Sequence, residues 1–182
     1  MGITSKTLQE SEIWRCIILI FVTVGGRPYP FDRLFKKLDE LVENGTIQEE
    51  IFAQIGTSNY KPKNYPFTDF VSQEEFSDKI NEADIVISHG ASGSIMKALN
   101  AEKKVIAVTR LEKYGEHIDD HQIQINEAFG ENEYVIPVLD LDQLGDGYLK
   151  LINNQVKLKK WKNEDKLAVV NLIDEFIIQN WN

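Results

Sequence analysis

The densest group of residues able to carry out chemistry lies at positions 116–122, where carboxylate, imidazole and amide side chains follow one another. His117 and His121 are four residues apart, so on a helix they would share one face and could bind a metal ion. One hypothesis is therefore a metal-dependent hydrolase. Two facts weigh against it: Ile118 stands where a zinc-protease helix carries its glutamate base, and His89 is the only other histidine.

The same stretch has a simpler interpretation as the start of a helix. Asp119 or Asp120 would then cap the first turn, because a carboxylate oxygen accepts hydrogen bonds from the unpaired N–H groups there. This interpretation is compatible with a functional role for the neighbouring side chains.

A second candidate site is the small-residue turn Ser88–Ser94, which follows the apolar strand Ile85–Ile87. Glycine and serine residues that open a helix leave backbone N–H groups unpaired, and these favour an anion such as a diphosphate. His89 could donate a hydrogen bond to a phosphate or bond the neighbouring backbone, and the residues alone do not decide between these. Further small-residue turns at Gly25 and Gly56 strengthen the prediction of a phosphate-bearing ligand.

A parallel sheet would bring these turns together. Short apolar runs alternate along the chain with segments of helical periodicity, which is typical of βαβ units with helices on both faces of the sheet. The carboxyl ends of the strands then share one edge, so the turns would meet there. The predicted fold class is α/β with a Rossmann-like parallel sheet. Strands are predicted at 17–24, 51–55, 67–71, 85–87 and 134–139, and one more is predicted after the helix that follows Ser94. Further helices are predicted after Pro30, from Ser72, over 141–153 and from Glu164. The helix over 141–153 has a predicted weak spot at Gly145 and Gly147.

Length and composition narrow the domain organisation and the function classes. The 182 residues predict a polar N-terminal extension at 1–15 and one domain at 16–182. A net charge of -9 opposes attraction to nucleic acid, so no nucleic-acid partner is expected. Cys16 is the only cysteine, which excludes an intrachain disulfide, and the apolar run 16–24 is too short to span a bilayer. We therefore expect a cytoplasmic protein.

Four short sequences of this chain resemble the C-terminal, donor-binding domain of glycosyltransferase family 28, and they occur in the same order as in that domain. More narrowly, the chain is similar to the stand-alone small subunits of two-component enzymes that build bacterial capsule and exopolysaccharide. Those subunits are relatives of the catalytic subunit of the dolichol-linked GlcNAc transferase. The resemblance covers residues 17–150 and rests on Phe21-Val22-Thr23-Val24-Gly25, Phe31-Asp32-Arg33-Leu34, Ser88-His89-Gly90 and the block from Gly115 to Gln122.

The resemblance implies the C-terminal half of a GT-B fold that holds a UDP-sugar, in an inverting transferase that needs no metal or other cofactor. The sugar would be galactose, glucose, glucuronic acid or GlcNAc. A membrane-associated acceptor-binding subunit would supply the lipid-linked saccharide acceptor and keep the chain at the inner face of the membrane. The implied catalytic residues are His89, Glu116 and His117; the implied substrate-binding residues are Gly25, Gly26, Gly90, Ala91, Ser92, Gly93, Ser94, Asp120, His121, Gln122 and Asn126.

A second hypothesis is a non-catalytic subunit that keeps the same fold. Such a chain would bind a nucleotide-sugar or regulate a partner without transferring the sugar itself. Activity with and without a partner would separate the two.

Overall fold

A sheet of six parallel strands lies at the centre of the computed structural model, which describes residues 18–161. The strands are β1 (Leu19–Thr23), β2 (Glu50–Gln54), β3 (Phe67–Thr68), β4 (Ile85–His89), β5 (Lys104–Val108) and β6 (Ile136–Val138). Their order is β3-β2-β1-β4-β5-β6, so β1 is central and pairs with both β2 and β4. Every pairing is parallel, which confirms the predicted α/β fold with a Rossmann-like sheet.

Helices cover both faces of this sheet, as predicted. Within the described residues they are α1 (Asp32–Glu43), α2 (Gln73–Glu82), α3 (Ser92–Asn100), α4 (His121–Glu131) and α5 (Leu144–Ile152). One buried cluster packs α1 and α5 against one face, and a second packs α2, α3 and α4 against the other. Neighbouring residues of β1 divide between the clusters, with Ile20 in the first and Phe21 in the second, because side chains alternate along a strand.

The start of α2 confirms a capping box predicted from the sequence. The hydroxyl oxygen of Ser72 accepts a hydrogen bond from the Glu75 amide at 3.1 Å, and the Glu75 carboxylate accepts one from the Ser72 amide at 2.8 Å. Each side chain thus satisfies an amide that the helix itself leaves unpaired. The capping box fixes where the chain turns from β3 into α2, beside the carboxyl edge of the sheet.

The two glycines of α5 do not interrupt the helix, although the sequence predicts a weak spot there. Both are buried. A Cβ atom on Gly145 would lie 2.9 Å from the Cδ2 atom of Leu41, and one on Gly147 would lie 3.1 Å from the Cγ2 atom of Ile136. The glycines therefore allow α5 to approach α1 and β6 closely, and this packing outweighs their low helix propensity.

Some predictions lie outside the described residues. These are the polar extension at 1–15 and the helix from Glu164, so the domain boundaries at 16–182 stay a prediction. Within residues 18–161, no helix combines the length and apolar character needed to cross a membrane.

Candidate functional site

A cleft of about 490 Å³ lies at the carboxyl edge of the sheet, where the turns after β1 and β4 meet. A larger cleft of about 590 Å³ lies at the amino edge, near Leu19 and Glu50. Ligands of parallel α/β sheets bind at the carboxyl edge, so the first cleft is the candidate site. Its lining residues are Gly25, Gly26, Gln54, Phe70, Val71, Ser72, Gln73, Phe76, His89, Ala91, Gly93, Ser94 and Lys97.

The first turn of α3 faces this cleft. No side chain among residues 18–161 caps the helix, whose N-cap residue is Ala91. The N–H groups of the first turn lack intrahelical partners, and the helix dipole adds a partial positive charge to them. Lys97, one turn further on, places its ammonium 5.0 Å from the centre of the Phe76 ring. Since no carboxylate of the described residues lines the cleft, the site favours an anion.

His89 ends β4 with a nearly buried imidazole, 5% exposed. Its Nδ1 atom lies 3.2 Å from the carbonyl oxygen of Thr23, and because a carbonyl can only accept, Nδ1 carries the hydrogen. Gly25 makes room for the ring: it has φ of +69°, and a Cβ atom there would lie 2.8 Å from the Cε1 atom of His89. The Nε2 atom of the neutral ring therefore holds a lone pair.

The charge state of His89 follows from its surroundings. The pKa of His89 is lowered to about 3, mainly by burial and then by the charges of Arg110, His117 and Arg27, while the hydrogen bond to Thr23 acts in the opposite direction. The imidazole is therefore neutral at physiological pH before a ligand binds. To donate a hydrogen bond from Nε2 to a phosphate, it must take up a proton, and a nearby dianion favours that uptake.

We expect His89 to make folding stability depend on pH above the range in which carboxylates titrate. Its pKa of about 3 in the folded protein lies below its ordinary value of 6.5, so between these values the unfolded chain binds a proton that the folded protein does not. The free energy of unfolding should fall by about 1 kcal/mol per pH unit from pH 6.5 to 5. Urea denaturation measures this slope. His89→Gln should flatten it by that amount, and equal slopes in both proteins would contradict the prediction.

Glu116, an implied catalytic residue, is tied into the fold through both carboxylate oxygens. Arg33 of α1 donates from Nε to Oε1 at 2.6 Å and from Nη2 to Oε2 at 2.8 Å. The Leu111 amide donates to Oε2 at 3.0 Å, and Arg33 also donates to the carbonyl oxygen of Thr109 at 2.8 Å. The carboxylate thus joins α1 to the segment after β5.

The prediction that His117 and His121 share one helix face is wrong, because α4 begins at His121 and His117 lies in the turn before it. The two rings are nevertheless neighbours, with centroids 4.9 Å apart. The Nδ1 atoms of both point to the Oδ1 atom of Asp119, which also accepts a hydrogen bond from the His121 amide at 3.2 Å. The N-cap residue of α4 is Asp120, but its side chain makes no capping hydrogen bond, and it is the Asp119 carboxylate that binds the first amide of the helix. Ligand atoms of these three residues lie within 4.8 Å of one another, a spacing that could hold a metal ion.

Gln122 and Asn126 lie buried on α4, behind the turn after β4. The Nδ2 atom of Asn126 donates to the Thr109 hydroxyl at 2.7 Å. A Cβ atom on Gly90 would lie 2.4 Å from that Nδ2 atom, so glycine lets the turn pack directly on the amide. Asp120 differs: its carboxylate accepts a hydrogen bond from the Glu112 amide at 2.8 Å and lines a neighbouring groove that includes Arg33.

Buried polar atoms without a partner concentrate in this region. Among the described residues five such side-chain atoms occur, and four of them are Arg110 Nε, Arg110 Nη1, Gln122 Oε1 and Asn126 Oδ1. Leaving a buried polar atom unpaired costs about 1–3 kcal/mol, so a cluster of them marks a place where a ligand supplies the missing partners. Sequence reasoning missed Arg110 and the cleft residues Gln54, Phe70 and Phe76. For two of these residues the position in the sequence could have indicated a role in the site. Gln54 is the last residue of β2, and Arg110 comes two residues after the end of β5.

Comparison with known proteins decides the family. The family model described as glycosyltransferase family 28 C-terminal domain matches residues 19–176. The chain belongs to this family. It is thus a glycosyltransferase domain, and the resemblance inferred from the sequence is confirmed. A curated relative is the UDP-N-acetylglucosamine transferase subunit ALG13 of Yarrowia lipolytica (strain CLIB 122 / E 150), 25% identical over 163 residues that cover 78% of this chain and 81% of that protein.

Solved structures show the same fold. An NMR solution structure of ALG13 matches with a TM-score of 0.58 and 23% identity, covering 88% of this chain and 97% of that one. MurG of Acinetobacter baumannii matches with a TM-score of 0.55 and 16% identity over 87% of this chain. SnogD of Streptomyces nogalater gives a TM-score of 0.54 and 17% identity over 77%. This family 28 domain spans only 50% of the MurG chain and 36% of the SnogD chain.

Proposed function

We propose that this chain is the catalytic, UDP-sugar-binding half of an inverting, metal-independent glycosyltransferase. It transfers galactose, glucose, glucuronic acid or GlcNAc to a lipid-linked saccharide. A second, membrane-associated subunit holds that acceptor and keeps this chain at the inner face of the membrane, in the synthesis of capsule or exopolysaccharide.

The observation that carries the proposal is a cleft lined by Lys97 and the uncapped first turn of α3, with no carboxylate of the described residues, in a protein of net charge -9. The positive charges of Arg27 and Arg110 repel each other, since Arg27 lowers the pKa of Arg110, and both charges disfavour a proton on His89. A bound diphosphate relieves this repulsion and accepts hydrogen bonds from the first turn of α3. Because leaving UDP gains negative charge in the transition state, the same groups stabilise it more strongly there than in the substrate.

The sugar would lie towards α4. Gln122 Oε1 and Asn126 Oδ1 are buried acceptors without a partner in the described residues, and sugar hydroxyls are suitable donors. The rings of His117 and His121 contact each other at the start of α4, and we assign them as a wall of this sugar site. Glu116 holds this wall in place through its bonds to Arg33 and Leu111, so we assign it a positioning role and assign the base for the acceptor hydroxyl to the partner subunit.

A partner is supported by the curated relative, whose name identifies it as a subunit of a UDP-N-acetylglucosamine transferase. This chain covers 97% of the ALG13 structure, so the likeness extends over almost the whole of that subunit. We propose that this chain shares the two-subunit organisation and the UDP-sugar donor with that relative.

Thermal denaturation with UDP tests the proposal. A ligand at one hundred times its dissociation constant stabilises by about 2.7 kcal/mol, which raises the melting temperature of a protein of this size by several degrees. We expect that rise with millimolar UDP, in the presence of EDTA, and a smaller one with ADP. No response to UDP would overturn the proposal. A response that EDTA abolishes would instead favour a metal at His117, Asp119 and His121.

A further inference from the structure

Arg110 is a buried positive charge without an acidic partner. Its side chain is 1% exposed, and no carboxylate of the described residues lies within ion-pair distance of it. The Nη2 atom donates to the carbonyl oxygens of Val24 and Tyr29, both at 2.9 Å. The Nε and Nη1 atoms have no hydrogen-bond partner among residues 18–161. A buried charge is costly unless it is paired. The Phe31 ring, whose centre lies 5.5 Å from the guanidinium carbon, and the charge of Glu116 compensate this cost only in part, since the pKa of Arg110 stays below its ordinary value.

The two carbonyl groups that Arg110 binds stand at opposite ends of one loop. This loop, residues 24–29, joins β1 to α1 and carries Gly25 and Gly26, which line the cleft. Arg110 follows β5, more than eighty positions later in the chain. A single guanidinium nitrogen therefore sets the distance between the two ends of the loop.

The charge of Arg110 acts on the same region. Burial lowers the pKa of Arg110 to about 10, so the guanidinium stays charged at neutral pH. Its charge disfavours protonation of His89 and opposes that of Arg27 on the loop. Among the charges that act on Arg110, the carboxylate of Glu116 is attractive and the guanidinium of Arg27 is repulsive.

We propose that Arg110 is a positioning residue for the diphosphate of a bound nucleotide: it holds the loop at 24–29 against the cleft, and the phosphates balance its charge. This inference rests on the proposed function, since it needs a nucleotide diphosphate in the cleft. It adds a role for a residue that lines no part of the cleft surface.

Binding measurements on three variants test the inference. Arg110→Gln removes the charge and should weaken UDP binding about tenfold or more while changing uridine binding less than twofold. Arg110→Lys keeps the charge and should recover part of the UDP affinity. Lys104→Gln removes one exposed charge at the opposite end of β5 and should bind both ligands as the wild type does. Equal loss of UDP and uridine affinity, or no loss in Arg110→Gln, would overturn the inference.

Two NMR readouts separate a positioning role from a structural one. The pKa of His89 should rise in Arg110→Gln, because the neighbouring positive charge is gone. In the wild-type protein, the Nε–H resonance of Arg110 should shift with saturating UDP and stay in place with uridine, a result that needs no variant to fold. An unmoved resonance with UDP bound would overturn the inference, whereas failure of the wild type to bind UDP would overturn the proposed function instead.

Discussion

Replacing Glu116 with glutamine is expected to lower the free energy of unfolding by about 3 kcal/mol, because breaking a buried ion pair leaves the other charge without a partner. Glu116 is 3% exposed and binds Arg33 through both oxygens. An amide keeps the shape of the carboxylate but places an N–H₂ group against one donor of the guanidinium. Urea denaturation at neutral pH measures the loss.

A surface pair provides the matched control for this prediction. Lys61 and Asp69 also form a short ion pair, of 2.7 Å, but their side chains are 51% and 59% exposed. Water screens such a pair, so Lys61→Gln should change the free energy of unfolding by less than about 1 kcal/mol. If Glu116→Gln costs no more than this control, the buried pair does not stabilise the segment after β5.

The second large effect is expected at His89. His89→Ala should weaken UDP binding about 10–100-fold, the usual range for one hydrogen bond to a charged group. The domain should stay folded, because the imidazole makes a single hydrogen bond, to Thr23, among the described residues. Calorimetric titration with UDP measures the affinity, and circular dichroism checks the fold.

Gln122→Ala provides the contrast for His89→Ala. Its buried amide is assigned to the sugar, so this variant should bind UDP like the wild type and lose transfer activity with the partner subunit.

The affinity of the wild type for UDP-N-acetylglucosamine should also rise from pH 8 to pH 6, since His89 takes up a proton on binding, and His89→Ala should lose that dependence. Wild-type UDP affinity in His89→Ala would contradict the assignment of this histidine to the diphosphate.

Local patterns in the sequence predict the framework of the site because they act over a few residues. Ser72 and Glu75 form a capping box that predicts the start of α2, and Gly25 and Gly90 predict two turns at the edge of the sheet. Close packing between segments that are distant in the chain leaves no such local pattern in the sequence. In the sequence, Gly145 predicts only a weakened helix. In the structure, a Cβ atom on Gly145 would lie 2.9 Å from the side chain of Leu41, so glycine is required for the packing.

The same distinction explains what the sequence does not predict about the site. The spacing of His117 and His121 suggests a shared helix face, but α4 begins only at the second of them. Arg110 resembles an ordinary surface cation in a polar segment. Its burial depends on two carbonyl groups that the chain supplies more than eighty residues earlier, and no local pattern encodes that contact.

The strand order also has a consequence for synthesis on the ribosome. The central strand, β1, is made first, yet its neighbour β4 follows much later: the Leu19 amide bonds to the side chain of Asp84, 65 positions on. At about 5–20 residues per second, several seconds pass before that partner emerges. During this interval one edge of β1 has no strand to pair with, so the nascent chain exposes an unpaired strand whose side chains are apolar on both faces. Ligand binding arises late, when β4 and β5 complete the sheet.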